Sequence, residues 1–120
     1  MSPSAALERI RVVLSHPSHP GNIGAAARAM KTMGLKRLYL VNPKSFPDPQ
    51  AVAMATGADD VLAAATVCST LTEALSGTVA ATALTGRRRE LATDPAWARE
   101  AAAELVAAAG AGEVALVFGN

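Results

Sequence analysis

With 120 residues, 51% of them hydrophobic and only 3% aromatic, the chain can form one modest domain whose core consists of aliphatic side chains and alanine. No run approaches the roughly 20 consecutive apolar residues of a membrane span, and a net charge of +1 is too small to indicate a nucleic-acid partner by itself. The single cysteine, Cys68, excludes an internal disulfide and is typical of a cytoplasmic protein.

Short, continuous apolar runs alternate with helical patterns along the chain. Such runs are typical of strands that are buried on both faces, as in a parallel sheet covered by helices. The sequence therefore predicts one domain with an α/β fold and a parallel, Rossmann-like sheet. The five predicted strands are Ile10 to Leu14, Arg37 to Val41, Thr66 to Cys68, Thr78 to Leu84 and Val114 to Phe118.

The predicted helices lie between these strands and are bounded by capping residues. Asn22 is predicted to cap a helix that reaches Met33 and stops at Gly34. Ile23, Ala26, Ala27, Met30 and Met33 form the apolar stripe of that helix. The later elements are a helix from Gln50 to Thr56, a short turn from Asp59 to Ala64, a short helix opened by Thr70 and Glu73, and a long helix from Asp94 to about Ala109.

Residues 21–28 lie at the turn between the first strand and its helix. At this edge a parallel sheet builds its binding crevice. The glycines and alanines are expected to let a ligand or a partner backbone approach the helix N-terminus, whose free N–H groups and dipole attract anions. Arg28 can lean back toward the crevice and hold a phosphate with two hydrogen bonds. A capped helix with an ordinary surface arginine is the structural alternative.

A second basic stretch follows the predicted fourth strand. Three consecutive arginines make a compact positive patch suited to phosphate contacts, although such runs are also common in solvated loops. Two arginine-bearing loops at one edge of the sheet favour a phosphate-bearing partner. The residues of this stretch are Leu84, Thr85, Gly86, Arg87, Arg88 and Arg89.

Other kinds of site fit the sequence poorly. A dinucleotide-binding loop would need a glycine where His19 stands, and an acidic residue about 20 positions further on. His16, His19 and the distant Cys68 do not supply the four ligands of a zinc site, so no metal is expected. The pair Asp59-Asp60 is better explained as a helix cap than as a pair of catalytic carboxylates.

The stretch Asn22-Ile23-Gly24-Ala25-Ala26-Ala27-Arg28 resembles the first motif, Asn-x-Gly-x-x-x-Arg, of the SpoU branch of the SPOUT RNA methyltransferases. Val117-Phe118-Gly119-Asn120 is similar to the start of the second motif of that family, which continues with Glu, two variable residues and Gly-Leu. Further matches at residues 19–24, 29–35 and 40–43 are similar to the members that methylate ribose in the tRNA anticodon loop.

The resemblance implies a SPOUT fold with a trefoil knot, a rare exception to the rule against knotted chains. It implies a homodimer that binds S-adenosylmethionine in the knot and methylates the ribose 2′-hydroxyl of a cytidine or uridine at tRNA position 32. Asn22 and Arg28 would be the catalytic pair that orients the ribose and its phosphate. The implied cofactor contacts are Leu84, Thr85, Gly86 and Gly119, and Arg87, Arg88 and Arg89 would face tRNA.

On the same resemblance, residues 1–120 correspond to the N-terminal and central parts of the methyltransferase domain and stop within the second motif. A piece of this extent is expected neither to close the knot nor to bind the cofactor by itself. Arg28 is expected to hold the phosphate and stabilise the developing alkoxide rather than to act as a base, because a guanidinium keeps its proton in proteins. Two alternatives stay open: a non-catalytic RNA-binding or dimerisation module on this fold, and a small-molecule nucleotide-binding domain.

Overall fold

The computed structural model describes residues 3–84 and 107–119, which form one five-stranded sheet with helices on both faces. All strand pairs are parallel, and the order across the sheet is β3-β2-β1-β5-β4. The predicted α/β fold with a parallel sheet is therefore confirmed, and three of the strands have the predicted bounds. The strands are β1 (Ile10–Ser15), β2 (Arg37–Val41), β3 (Thr66–Cys68), β4 (Thr78–Leu84) and β5 (Glu113–Gly119).

Five helices are formed by the described residues. The first of them was not predicted, and most of the helix predicted from Asp94 lies outside the described residues. The short turn expected after Gly57 is a helical turn. Neither Asp59 nor Asp60 caps it with a side-chain hydrogen bond, and the Asp60 carboxylate instead accepts from the Lys31 ammonium at 2.7 Å. The helices are α1 (Pro3–Leu7), α2 (Pro20–Met33), α3 (Pro49–Met54), α4 (Asp59–Ala63) and α5 (Leu71–Leu75). None of these is long and apolar enough to cross a bilayer.

Helix α2 begins three residues earlier than predicted. Its N-cap is His19, and Pro20 occupies the first helical position, where its fixed φ favours the helix and its missing N–H is not needed. Asn22 is therefore not the cap but lies within the first turn, with its N–H donating to the carbonyl oxygen of His19 at 3.0 Å. The helix stops as predicted at Gly34, which has a left-handed φ of 81°.

The two faces of the sheet carry separate apolar cores, because alternate residues of each strand point to opposite sides. Within α2 the buried apolar residues are Ile23, Ala27 and Met30, whereas Met33 is 57% exposed and lies outside the stripe predicted for it. The face under α2 contains Ile10, Val12, Leu38, Leu40 and Val114. The opposite face contains Val13, Val41, Cys68, Ala74, Ala115 and Val117.

A buried arginine interrupts the second core. Arg11 is 6% exposed; its Nε donates to Glu113 at 3.1 Å, and its Nη1 donates to the carbonyl oxygens of Ala74 and Ser76 at 2.8 Å each. The hydrogen bond from Arg11 holds the pKa of Glu113 below its usual value, and the charges of Arg11 and Arg37 act in the same direction. This contact joins β1, β5 and the C-terminus of α5.

Candidate functional site

The carboxyl ends of the central strands meet at one edge of the sheet. Ser15, the last residue of β1, is in register with Val41 at the end of β2 and with Gly119 at the end of β5. Helix α2 begins five residues after β1, so its N-terminal turn belongs to this edge. The topology therefore places the predicted site where parallel sheets usually bind ligands.

Two non-glycine residues with left-handed backbone lie directly beyond β1 and β2. They are His16, with φ of 54°, and Asn42, with φ of 47°. Each backbone N–H continues the ladder to the next strand, from His16 to the carbonyl oxygen of Val41 and from Asn42 to that of Cys68, both at 2.8 Å. Such conformations are uncommon outside glycine and concentrate at functional sites. Sequence reasoning missed both, although asparagine tolerates this region better than most residues.

The loops that follow β1 and β2 are tied together. The N–H of Lys44 donates to the carbonyl oxygen of Pro17 at 3.1 Å. Asp48 then caps α3, since its carboxylate accepts from the Ser45 hydroxyl at 2.7 Å and from the N–H of Gln50 at 2.8 Å. These two hydrogen bonds lower the pKa of Asp48. The start of α3 is thereby held beside the site.

The glycines of residues 21–24 make room for α3, which corrects the expectation that they admit a ligand. A Cβ on Gly24 would lie 2.1 Å from the carbonyl oxygen of Ala51 and 2.9 Å from the Cβ of Met54. Gly24 is buried, and its missing side chain allows the two helix backbones to touch. Gly21 faces the same helix, where a Cβ would lie 3.4 Å from Nε2 of Gln50. The close approach is therefore between two helices of the protein.

Asn22 and Arg28 are both exposed, on the side of α2 that does not face the sheet. At about 100° per residue, the two side chains leave the helix about 120° apart, on either side of Ala25. Ala25 is itself exposed and has only a methyl side chain. A group that lies over Ala25 can therefore be contacted by a carboxamide from one side and a guanidinium from the other.

The predicted cofactor residues are only partly described. Leu84 ends β4 in register with Phe118, and Gly119 ends β5, so both backbones reach the same edge of the sheet. Among residues 3–84 and 107–119, no atom would lie within 4 Å of a Cβ on Gly119. The other predicted contacts, Thr85, Gly86, Arg87, Arg88 and Arg89, lie outside the described residues.

The histidines and the cysteine form no metal centre with the rest of the described chain. Across residues 3–84 and 107–119 there is no group of three or more His, Cys, Asp or Glu side chains that could hold an ion. His16 and His19 are exposed, with Nδ1 of His16 lying 2.9 Å from the Ser15 hydroxyl. Cys68 is buried, and burial raises the pKa of its thiol, as does the nearby charge of Glu73.

Comparison with protein families and curated proteins identifies relatives over nearly the whole chain. The model of the SpoU rRNA Methylase family matches residues 9–120. A tRNA (cytidine/uridine/adenosine-2′-O-)-methyltransferase TrmJ from Pseudomonas aeruginosa is 54% identical over 115 residues, which are 95% of this chain and 45% of that protein. A tRNA (cytidine/uridine-2′-O-)-methyltransferase TrmJ from Salmonella typhimurium is 49% identical over 95% of this chain and 47% of its own length. The chain thus spans about half the length of these relatives.

Solved structures agree with the sequence comparison. A probable methylase family protein from Haemophilus influenzae superposes with a TM-score of 0.80 at 42% identity, over 95% of this chain and 46% of that one. TrmJ from Z. mobilis superposes with a TM-score of 0.69 at 32% identity, over 91% of this chain and 48% of that one. Family match, sequence identity and fold coincide: the chain belongs to the SpoU rRNA methylase family.

Proposed function

We propose that this chain belongs to an enzyme that methylates a ribose 2′-hydroxyl of tRNA, using S-adenosylmethionine, at the cytidine or uridine of anticodon-loop position 32. Relatives named as tRNA 2′-O-methyltransferases support the reaction class. The observation that carries the proposal is the placement of exposed Asn22 and Arg28 on either side of Ala25, at the carboxyl edge of a parallel sheet.

Arg28 and Asn22 have the chemistry to hold a ribose and its phosphate. A guanidinium offers a planar pair of N–H donors that matches two phosphate oxygens, and it keeps its proton at neutral pH. We assign to Arg28 the binding of the phosphate and the electrostatic stabilisation of negative charge that develops on the 2′-oxygen. The carboxamide of Asn22 both donates and accepts, so it can orient the ribose from the other side.

The end of β5 lies at the edge where ligands of parallel sheets bind, and none of the described residues would touch a Cβ on Gly119, which supports a cofactor site there. We propose that Leu84, Thr85, Gly86 and Gly119 hold S-adenosylmethionine. When bound, it supplies a methyl group already activated by a sulfonium. The role of the protein is then to align the acceptor with that group, and such alignment provides a large part of the rate acceleration of enzymes.

The family resemblance is the basis for proposing the complete domain, its oligomeric state and its contacts with tRNA. Residues 1–120 would form the N-terminal and central parts of the methyltransferase domain, which is completed by a trefoil knot and works as a homodimer. Arg87, Arg88 and Arg89 would contact the tRNA backbone. A cytoplasmic location, where tRNA is modified, is consistent with the single free Cys68.

A methyl-transfer assay tests the proposal. The full-length protein is incubated with an unmodified tRNA transcript and methyl-labelled S-adenosylmethionine, and the digested RNA is analysed by mass spectrometry. The expected product is a 2′-O-methylated nucleoside from the anticodon loop. RNA binding without transfer would instead support a non-catalytic RNA-binding module, and cofactor binding with no dependence on RNA would support a small-molecule nucleotide-binding domain.

A further inference from the structure

Gln50 brings a second carboxamide to the N-terminal turn of α2. It lies in the first turn of α3, and its side chain is directed at Gly21, the residue that precedes Asn22. A Cβ on Gly21 would be 3.4 Å from Nε2 and 3.7 Å from Cδ of Gln50. Gln50 is exposed, so this carboxamide stands between the turn of α2 and solvent.

The position of Gln50 relative to α2 is set by two independent contacts. On one side, Asp48 accepts the N–H of Gln50 at 2.8 Å and thereby orients the first turn of α3. On the other, the glycine at position 24 allows the carbonyl of Ala51, the next residue after Gln50, to rest against the backbone of α2. These contacts fix the backbone from which the Gln50 side chain extends, beside the first turn of α2.

The carboxamide has unused hydrogen-bonding capacity. Among residues 3–84 and 107–119, the side chain of Gln50 makes no hydrogen bond, and its backbone N–H donates to Asp48. A primary amide offers two donors and one acceptor with two lone pairs. These are the groups that hydrogen-bond ribose hydroxyls and phosphate oxygens in nucleic-acid complexes.

Arg28 lies on the same side of α2 as Gln50. Gly21, Gly24 and Arg28 are spaced i, i+3 and i+7, so they share one stripe of the helix. Helical side chains lean toward the N-terminus, which directs Arg28 back toward the turn of Ala25, beside the face that Ala51 and Met54 of α3 cover. Gln50 and Arg28 therefore border one side of the open surface over Ala25, and Asn22 borders the other.

We propose that Gln50 is a further substrate-contact residue, whose carboxamide donates a hydrogen bond to the ribose-phosphate backbone of the RNA that Asn22 and Arg28 hold. This inference rests on the proposed function, because it assumes an RNA substrate at this edge of the sheet. It assigns to α3 a direct part in RNA binding in addition to its packing against α2.

Kinetics of Gln50→Ala and Gln50→Glu in the full-length protein test the inference, with an unmodified tRNA transcript as substrate. Loss of one hydrogen bond to a charged group should raise the KM for tRNA about tenfold in Gln50→Ala while kcat changes little. Gln50→Glu should raise KM further, because a carboxylate donates no hydrogen bond and repels phosphate. The urea midpoints of both variants should equal that of the wild type.

Val52→Ala is the matched control, since Val52 is 52% exposed on the same helix and lies about 200° around it from Gln50. Its KM should equal that of the wild type. If the wild type transfers methyl groups and both Gln50 variants keep its KM, the role of Gln50 is excluded and the proposed function stands. If the wild type transfers no methyl group to RNA, both are excluded.

Discussion

The carbonyl oxygen of Ala51 occupies the place into which a side chain on Gly24 would extend, with only 2.1 Å between that oxygen and a Cβ. This contact is between two backbones, so no rotamer change can relieve it. The glycine of the Asn-x-Gly motif is therefore needed for the packing of α2 on α3, and through that packing it sets the position of Gln50 beside Gly21.

Gly24→Ala should accordingly destabilise the fold. The added methyl forces α3 away from α2, and overpacking of this kind typically costs about 1–3 kcal/mol. Urea unfolding followed by circular dichroism measures the loss. Gly21→Ala is the control in the same helix, because a Cβ there meets the side chain of Gln50 at an ordinary contact distance of 3.4 Å. Equal midpoints for the two variants would contradict this account of Gly24.

Substitution of Arg28 should show whether this residue acts through a planar, two-donor contact with phosphate or only through its positive charge. Arg28→Lys keeps the charge but loses the paired donors, so kcat/KM for tRNA should fall at least about tenfold. Arg28→Ala and Asn22→Ala should each lower kcat by about 100-fold, as removal of a charge-stabilising donor commonly does. Lys31→Ala, three residues further along α2, should remain near the wild type. Near-normal turnover by Arg28→Lys would contradict a bidentate contact between Arg28 and the phosphate.

The ion pair of Arg11 and Glu113 should make stability depend on pH. The pKa of Glu113 is lowered in the folded protein, so its contribution is complete above the ordinary value of 4.5 and is lost as the pH falls through the lower folded value. At neutral pH, Glu113→Gln should reduce the free energy of unfolding by about 1–2 kcal/mol. At about pH 3 the difference should shrink as the wild-type carboxylate becomes protonated.

Glu8→Gln is the control for that experiment, because it changes the net charge equally at an exposed position. Its free energy of unfolding should follow that of the wild type across the same pH range. A deficit of Glu113→Gln that stayed constant down to acid pH would show that the ionised pair is not what stabilises this part of the core.

Arg11→Lys should loosen α5 without removing the positive charge. An ammonium cannot bond Glu113 and both carbonyl oxygens of Ala74 and Ser76 in the geometry that the guanidinium uses. Leaving a buried carbonyl without its donor costs about 1–3 kcal/mol. Hydrogen exchange should therefore become faster in residues 71–76, whereas Arg37→Lys, at a half-buried position, should have a smaller effect. Unchanged exchange in α5 would contradict the role assigned to Arg11.

The fold could be predicted from the sequence because the patterns that indicate its strands and helix ends are local. Apolar runs such as Arg37–Val41 mark buried strands, and Gly34 and Thr70 mark helix ends through their own backbone and side-chain chemistry. The capping preference of Asn22 predicts too late a start for α2, because the fixed φ of Pro20 favours the helix from the earlier position.

The site could be predicted only in part from the sequence, since the features that were missed depend on contacts between segments that are distant in the chain. The need for Gly24 arises from Ala51, and the exposure of Gln50 beside Gly21 arises from how α3 packs. The left-handed conformations of His16 and Asn42 accompany backbone hydrogen bonds to neighbouring strands, and the residue type alone shows only that these conformations are tolerated.

The most direct test of the proposed reaction is an acceptor from which the reacting oxygen has been removed. A tRNA carrying a single 2′-deoxynucleotide at position 32 is compared with the all-ribose tRNA, using the full-length protein and labelled S-adenosylmethionine. Transfer should be abolished at the deoxy position while the modified tRNA still competes for binding. Undiminished transfer to the deoxy substrate would show that the ribose 2′-oxygen at this position is not the acceptor.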